Sequence, residues 1–543
     1  MSSDKESKVI CLLIVAGMVF RVIMMVSHFT HWDDIGVANY VIQLLQITNG
    51  NEIDIAKGFA DMWTYGPLQI LITQKLINEN MSYMFNIIMG RLPSLVCNIL
   101  FVITIYKVLC KVRPDEKSGK ILAICIISLS WENIIYSSQM EPYSMGILFS
   151  AVTAYLIIQE FYDDWKKTLV ASLLLTLGCY AQYQMFIFVF ATYVAVFFCN
   201  IKNKRSLIRV VFAGGVNLAA TLPLIFYLFN TGKISQGINS WNIGNDSMFR
   251  YQCIDNIHAA EKVKYTFEFF LRNIFLCFKY IFLSDSFEYI ANILTYVLLI
   301  CAVLGVFYIH KNKEYIIFAF FHDLIAIVMF VLILRGSITL GPSRHILIME
   351  PVWITLIYFG LIYLVNMKKV KAYYKKTVSI ITVVVIVLFA LAIPGEIATR
   401  RNFISEIYIR NLVKEYNPQF VFAESSLNDL YLFNIEGFSN NSMSLGSGWL
   451  QNSDIHIKPQ TNDTIILMSK NHSMDNIKVS DNYMRQQLEE RIDYFKLDKK
   501  WTDFNDYTIV YRKEIQTDAE VEYARKYYWN YSNGLYLYVL KHN

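Results

Sequence analysis

The chain has 543 residues, of which 55% are hydrophobic and 15% aromatic, and its mean hydropathy is +0.36. Only 17% of the residues are charged, against roughly 25% in a soluble domain, so the composition excludes a large soluble enzyme. The net charge of +5 is small and concentrated in the loops between apolar segments. It therefore predicts membrane topology and no nucleic-acid partner.

Apolar segments follow one another along most of the chain, and a membrane-spanning helix needs about 20 such residues. Eleven spans are predicted, at 9–27, 82–106, 121–138, 143–161, 168–181, 184–200, 210–230, 288–309, 315–334, 345–365 and 377–394. The sequence therefore predicts a polytopic α-helical membrane protein.

The loops between these spans alternate in charge. Basic residues fill the N-terminus and every second loop: Lys5, Lys8, Lys107, Lys111, Arg113, Lys117, Lys120, Lys202, Lys204, Arg205, Arg209, Lys311, Lys313, Lys368, Lys369, Lys371, Lys375 and Lys376. All of them fall on one side, which the positive-inside rule makes cytoplasmic. We therefore expect a cytoplasmic N-terminus and an extracytoplasmic tail. The expected location is a bacterial plasma membrane, with the endoplasmic reticulum as the alternative.

Helices are also predicted in the outer segments. Apolar residues from Ile35 to Leu45 recur at helical spacing, which indicates an amphipathic helix lying on the membrane in the first outer loop. A second short helix is predicted to start at Pro67, since proline is favoured in a first turn. A third interfacial helix is predicted over 267–281 in the long outer loop.

The tail changes character after residue 394. Segments 419–422, 464–468, 507–511 and 535–539 are predicted as strands, and 481–496 as a helix. We therefore expect two domains: a transmembrane region over 1–394, and a small extracytoplasmic α/β domain over 395–543.

An acidic pair, Asp33-Asp34, follows the first predicted span, where the chain emerges on the outer side. One carboxylate can accept a proton from an attacking hydroxyl or amine, and a neighbouring carboxylate can raise its pKa. The alternative is a helix N-cap with a solvated neighbour.

Three further candidates lie on the same side. Glu141 is in the turn between two closely spaced spans, where the alternative is a solvated loop residue. Arg344 and His345 enter the tenth span from outside, and an arginine there suits a lipid-linked phosphate. The alternative for Arg344 is a side chain that extends to the lipid headgroups.

Two arginines lie inside predicted spans, Arg21 in the first and Arg91 in the second. Arginine within a membrane costs roughly 2.5–3.5 kcal/mol on insertion scales, so each needs a polar partner or a wet cavity. Contact with substrate and structural pairing with Glu132 both stay open.

These elements, in this order, resemble the GT-C superfamily of membrane glycosyltransferases, especially the group of protein O-mannosyltransferases and the lipid A aminoarabinose transferase. The matching segments are Asp33-Asp34, Tyr65-Gly66-Pro67-Leu68, Arg91-Leu92-Pro93-Ser94, Glu141-Pro142-Tyr143 and Arg344-His345 with Pro351 downstream. The resemblance covers roughly 1–394. Two positions depart from it: Tyr65 or Gly66 stands where some relatives have a phosphate-binding lysine, and Asp34 stands where glutamate is common.

The resemblance implies a catalytic GT-C-like membrane region that transfers a sugar from a polyprenyl-phosphate donor to a glycan, lipid or protein acceptor outside the cytoplasm. Asp33 and Asp34 would be catalytic; Glu141, Arg344, His345, Tyr65 and Arg91 would bind substrate. Some relatives use a divalent metal ion and others do not, so such an ion stays open, and no metal ligand or other cofactor is predicted. A flippase or transporter of lipid-linked sugars is the main alternative, followed by a polysaccharide polymerase or ligase and by a structural scaffold.

Overall fold

The computed structural model describes residues 2–27, 66–77, 83–230, 259–283, 287–334, 344–400, 412 and 415–418, and the tail segments 420–424, 442–445, 464–469, 507–515 and 535–543. The chain divides into two compact units. The first comprises Met1–Val26, Asn39–Ile77 and Ile88–Ala392, and the second comprises Ser27–Ala38, Asn78–Ile87 and Ile393–Asn543.

Helices make up nearly all of the described membrane region. They are α1 (Ser2–Ser27), α2 (Pro67–Leu76), α3 (Tyr83–Val112), α4 (Lys117–Ser128), α5 (Trp131–Tyr136), α6 (Tyr143–Ile158), α7 (Trp165–Ala181), α8 (Met185–Cys199), α9 (Lys204–Asn230), α10 (Ala259–Phe282), α11 (Glu288–Lys311), α12 (Ile316–Leu334), α13 (Glu350–Asn366) and α14 (Lys368–Arg400). Short 3₁₀ helices lie at Phe161–Asp163, Lys313–Tyr315 and Arg344–Met349.

Seven candidate membrane spans are long and apolar enough to cross a bilayer among the described residues. They are Glu6–Val26, Phe85–Val112, Lys204–Phe229, Glu288–Lys311, Lys313–Leu332, His345–Asn366 and Val370–Pro394. Two shorter apolar helices, Tyr143–Ile158 and Met185–Cys199, lie at predicted spans. The polytopic helical membrane fold is therefore confirmed, with fewer full-length spans than the eleven predicted.

The predicted continuous span over 121–138 is wrong. Helix α4 ends at Ser128, and α5 begins at Trp131 after a break. Ser130 causes the new start: its Oγ accepts a hydrogen bond from the Asn133 backbone N–H at 3.3 Å, as an N-cap does. The same hydroxyl donates to the Ile281 carbonyl at 2.6 Å, so the break is also held to α10.

The predicted cytoplasmic loops meet at one end of the helices. The Glu6 carboxylate at the start of α1 pairs with Lys120 at 2.8 Å and with Lys117 at 3.5 Å. Arg113 donates to the Asn366 side chain at the end of α13, at 3.1 Å. The N-terminus, the α3–α4 connection and the end of α13 therefore share one end of the bundle.

Helices α11 and α13 form the closest helix pair of the core. A Cβ on Gly305 would lie 2.0 Å from the Leu356 carbonyl oxygen, and one on Gly360 would lie 1.8 Å from the Cys301 carbonyl oxygen. Only glycine fits at such an approach of two backbones, as in the small-residue packing of membrane helices. Helix α13 is accordingly buried on nearly all sides.

Two predictions about interfacial helices can be compared with described residues. Helix α2 begins at Pro67 as predicted, after Gly66, whose φ of 88° favours glycine. Helix α10 includes the helix predicted over 267–281, and its Phe278 ring stacks on Trp353 with 4.4 Å between centroids. The helix predicted at 35–45 and the tail helix at 481–496 lie outside the described residues.

The tail contains a five-stranded mixed sheet in the order β2-β1-β3-β5-β4. Its strands are β1 (Phe420–Glu424), β2 (Ser442–Leu445), β3 (Thr464–Ser469), β4 (Tyr507–Ile515) and β5 (Leu535–His542). Strand β1 pairs in parallel with β2 and β3, while β5 pairs antiparallel with β3 and β4. The four predicted strands are confirmed; the short, serine-rich β2 was not predicted.

Candidate functional site

The structure describes three of the seven predicted site residues with their side chains: Arg91, Glu141 and His345. Asp33, Asp34 and Tyr65 lie outside the described residues. Arg344 is the first residue of the 3₁₀ helix Arg344–Met349, and the structure describes its backbone only.

Glu141 is buried, at 1% exposure, in the turn between α5 and α6. The Ser94 hydroxyl of α3 donates to the Glu141 backbone carbonyl at 3.1 Å, which fixes the turn against that helix. Gly90, one turn earlier, allows close approach, since a Cβ there would lie 2.2 Å from the Met140 sulfur. Glu141 is therefore a packed residue of the bundle end, and the alternative of a solvated loop residue is wrong.

Arg91 lies on α3 close to Ser94 and is also buried, at 1% exposure. Its Nη1 donates to the Met25 backbone carbonyl at 3.0 Å. Met25 belongs to the last turn of α1, where carbonyl groups have no partner within the helix and a cation is favourable. This bond joins α3 to the end of α1, and contact of Arg91 with substrate stays a prediction.

His345 lies beside the first residue of α6. Its ring packs edge-on against Tyr143 with centroids 5.5 Å apart, and the Tyr143 hydroxyl is 3.4 Å from His345 Nδ1. The Tyr143 ring also contacts Tyr136, with centroids 5.7 Å apart, and the Tyr136 hydroxyl hydrogen-bonds that of Tyr280 at 3.0 Å. Tyr136, Tyr143, Tyr280 and His345 therefore form an aromatic cluster with hydroxyl and imidazole groups, close in the chain to Glu141.

Sequence reasoning used Tyr143 only as part of a short motif and did not single out Tyr136 or Tyr280. The available signal was the placement of Tyr136 and Tyr143 at predicted outer ends of spans and of Tyr280 in a predicted interfacial helix, where amphipathic rings are common. That general tendency does not show that the three side chains meet.

A buried polar network begins at the arginine of α1. Arg21 Nε donates to Asn98 Oδ1 at 2.8 Å, and Asn98 Nδ2 donates to Asn133 Oδ1 at 3.4 Å. Asn133 Nδ2 then donates to Glu350 Oε1 at 2.5 Å. Glu350 is fully buried, and its second oxygen has no hydrogen-bond partner among the described residues. The network therefore joins α1, α3, α5 and α13 through charged and amide side chains.

Arg21 also donates to the backbone at the helix break. Its guanidinium reaches the Ser128 carbonyl at 2.7 Å and the Ile127 carbonyl at 3.1 Å, where α4 ends. Within the described part of the chain its hydrogen bonds do not include Glu132, the partner that the sequence suggested. Asn98, Asn133 and Glu350 were not predicted; the signal was a glutamate directly before Pro351 in an apolar run.

A metal site is not formed by the residues that the structure describes: no group of three or more His, Cys, Asp or Glu side chains is arranged to hold an ion there. Asp33 and Asp34 lie outside the described residues. The described arrangement thus offers a buried carboxylate, hydroxyl groups and an imidazole at one bundle end, which suits hydrogen bonding to a polar substrate.

No protein-family model matches the chain, and no curated protein matches it. Among solved structures, the chain is similar to the crystal structure of an oligosaccharyltransferase from Archaeoglobus fulgidus that carries a tethered acceptor peptide with an NVT sequon. The TM-score is 0.45 and the sequence identity 11%, over 81% of this chain. The chain spans 64% of the length of that oligosaccharyltransferase.

Proposed function

We propose that the protein is a membrane glycosyltransferase that moves a sugar from a polyprenyl-phosphate donor to a glycan, lipid or protein acceptor on the extracytoplasmic side. The observation that carries the proposal is the buried Glu141, which lies in the turn between α5 and α6 and is bonded to Ser94 of α3. The Tyr143–His345 pair begins two residues later in the chain. The motif resemblance supplies the reaction class.

In the proposed reaction, Asp33 removes the proton from the acceptor nucleophile as that atom attacks the anomeric carbon. The bond between the anomeric carbon and the lipid phosphate breaks in the same displacement, so the anomeric configuration inverts. Arg344 stabilises the negative charge that develops on the leaving phosphate, and Tyr65 can donate one further hydrogen bond. Asp34 and Glu141 position sugar or acceptor, and His345, which contacts Tyr143, is a further substrate-binding residue.

The test is sugar transfer by the purified protein in lipid, with a panel of polyprenyl-phosphate sugars as donors. We expect Asp33→Asn to abolish transfer, because the variant cannot accept the proton. Asp61→Asn, in the same outer segment, is the matched control and should retain transfer. Loss of Asp33 with transfer intact would refute the assignment of the base.

Glu141 can be tested in the same assay. Glu141→Gln keeps the size of the side chain and removes its charge, so we expect reduced transfer with unchanged thermal stability. The control is Glu314→Gln, an exposed glutamate at the other end of the bundle. Equal transfer rates of the two variants would remove Glu141 from the proposed site.

One observation favours the second candidate, a flippase of lipid-linked sugars. Polar side chains and interrupted helices are typical of transporters, and Arg21 and Glu350 lie within candidate spans beside the break between α4 and α5. Vesicles with a fluorescent polyprenyl-phosphate sugar separate the two functions. Movement of the lipid across the bilayer without transfer to any acceptor would favour the flippase.

A further inference from the structure

Helix α2 buries two polar side chains for which the described part of the chain offers no hydrogen-bond partner. Gln69 and Thr73 are four residues apart, so they lie on one face of the helix, and both have an exposure of 0%. The amide oxygen, the amide nitrogen and the threonine Oγ1 all have no hydrogen-bond partner among the described residues. Buried polar atoms are almost always hydrogen-bonded, so three such atoms on one ten-residue helix need an explanation.

Helix α2 starts against the end of α7. At the start of α2, a Cβ on Gly66 would lie 2.3 Å from the Ala181 carbonyl oxygen, so the two backbones touch there. The next residue, Gln182, is 7% exposed, and its Oε1 also has no partner in the described part of the chain. Its Nε2 donates to Gln184 Oε1 at 2.9 Å, so the Gln182 amide is held in one orientation.

Gln182 in turn lies next to the candidate site. A Cβ on Gly146 would lie 1.5 Å from Gln182 Oε1, so the amide fills the space beside the first turns of α6. That helix starts directly after the turn that contains Glu141. Gln182 therefore lies beside the first turns of the helix that follows the Glu141 turn.

The polar groups of Gln69, Thr73 and Gln182 indicate which kind of ligand they can bind. Two amides and one hydroxyl are neutral, and together they both donate and accept hydrogen bonds. Sugar hydroxyls do the same. A phosphate group would call for a cation, and a lipid chain would leave these polar atoms unsatisfied.

We infer that Gln69 and Thr73, with Gln182 at the end of α7 that the start of α2 contacts, bind the hydroxyl groups of a sugar, on the donor lipid or on an acceptor glycan. This inference rests on the proposed function and adds a sugar-binding subsite to it. The subsite is separate from the residues assigned above to proton transfer and to the leaving phosphate.

The test compares ligand affinity with thermal stability in Gln69→Leu and Thr73→Val, which keep side-chain volume and remove the polar atoms. The probes are polyprenyl-phosphate mannose, glucose and N-acetylglucosamine, sugar-free polyprenyl phosphate, and the methyl glycosides of the same sugars. We expect affinity for at least one sugar-bearing probe to fall about tenfold in each variant, the effect of roughly one hydrogen bond. Affinity for sugar-free polyprenyl phosphate should not change.

The control variant is Gln74→Leu, on the same helix at a half-buried position. We expect it to bind all probes like the wild type. Thermal stability of Gln69→Leu should be equal to or above that of the wild type, because the change removes buried polar atoms without partners. Loss restricted to the lipid probes assigns the sugar to the donor, and loss restricted to methyl glycosides assigns it to the acceptor.

Unchanged affinity of both variants for every sugar-bearing probe would overturn the inference and leave water as the occupant. This result is distinguishable from failure of the proposed function. Wild-type transfer that persists in Gln69→Leu removes the subsite and keeps the enzyme. If the wild type transfers no sugar but binds it, and Gln69→Leu binds it more weakly, the subsite is kept and the glycosyltransferase function is rejected.

Discussion

Replacing Arg21 by methionine tests how much of the fold depends on the buried polar network. Methionine keeps the length and much of the volume of the arginine side chain but has no donor. The substitution removes the hydrogen bond to Asn98 and both bonds to the end of α4. It also removes the cation that interacts with the buried Glu350.

The expected magnitude follows from what is left behind. Three bonds from Arg21 cross to other helices, at 2.8, 2.7 and 3.1 Å, and their acceptors become unsatisfied in a buried site. Hydrogen bonds to charged groups contribute about 1.5–3 kcal/mol each, but removing the arginine also removes its own desolvation cost. Arg21 and Glu350 are linked through Asn98 and Asn133, and deleting one charge of a buried network leaves the other uncompensated. We expect a loss of about 3–5 kcal/mol, as when a buried charge loses its counter-charge.

Unfolding of the purified protein in detergent or lipid measures this loss, with Arg272→Met on the exposed side of α10 as the control. A double-mutant cycle with Glu350→Gln isolates the coupling. The double variant should lose less stability than the sum of the single variants, since each single change leaves the other buried charge uncompensated. The reasoning is refuted if Arg21→Met unfolds like the Arg272→Met control, or if the two changes add.

Two further predictions concern packing and pH. Gly305→Ala should destabilise the protein by about 2–3 kcal/mol, because its Cβ would lie 2.0 Å from a carbonyl oxygen of α13; Gly215→Ala, where a Cβ meets nothing within 4 Å, should be neutral or stabilising in the same thermal-unfolding assay. Hydrogen bonds from the Lys167 and Lys166 backbone lower the pKa of Asp164 at the start of α7. Its contribution to stability is therefore complete above the unfolded pKa of about 3.9 and is lost as the pH falls through the lower folded value. At neutral pH the free energy of unfolding of Asp164→Asn should be lower than that of the wild type, and it should fall less as the pH is lowered. The control Asp115→Asn should behave like the wild type.

Hydropathy and loop charge predicted most helices because both are sums over many side chains, and such sums tolerate errors at single positions. The start of α2 could also be predicted from the local sequence, because Pro67 and the preceding glycine mark a helix start. Pairwise geometry could not be predicted. The sequence shows Gly305 and Gly360, but only the fold shows that each glycine meets a carbonyl of the other helix.

The candidate site shows the same limit. Glu141 was predicted from its position in an outer turn, whereas its burial depends on Ser94 and Gly90 of another helix. The amide groups of α2 were not predicted at all, because a glutamine near a membrane surface is ordinary in a sequence. Gln69 is informative because it is completely buried and has no hydrogen-bond partner in the part of the chain that the structure describes.

The error at 121–138 and the unexplained arginine of the first span have one cause. An apolar run predicts that side chains tolerate lipid, but a helix that stops inside the run must still satisfy its last carbonyl groups. The break at Ser130 exposes the carbonyls of Ile127 and Ser128, and Arg21 of α1 supplies the missing donors. Gly17 allows this, since a Cβ there would lie 2.4 Å from the Ser128 oxygen. The charged Arg21 in the first span therefore compensates the interruption between α4 and α5. This contact fixes the start of the chain segment that leads to Glu141.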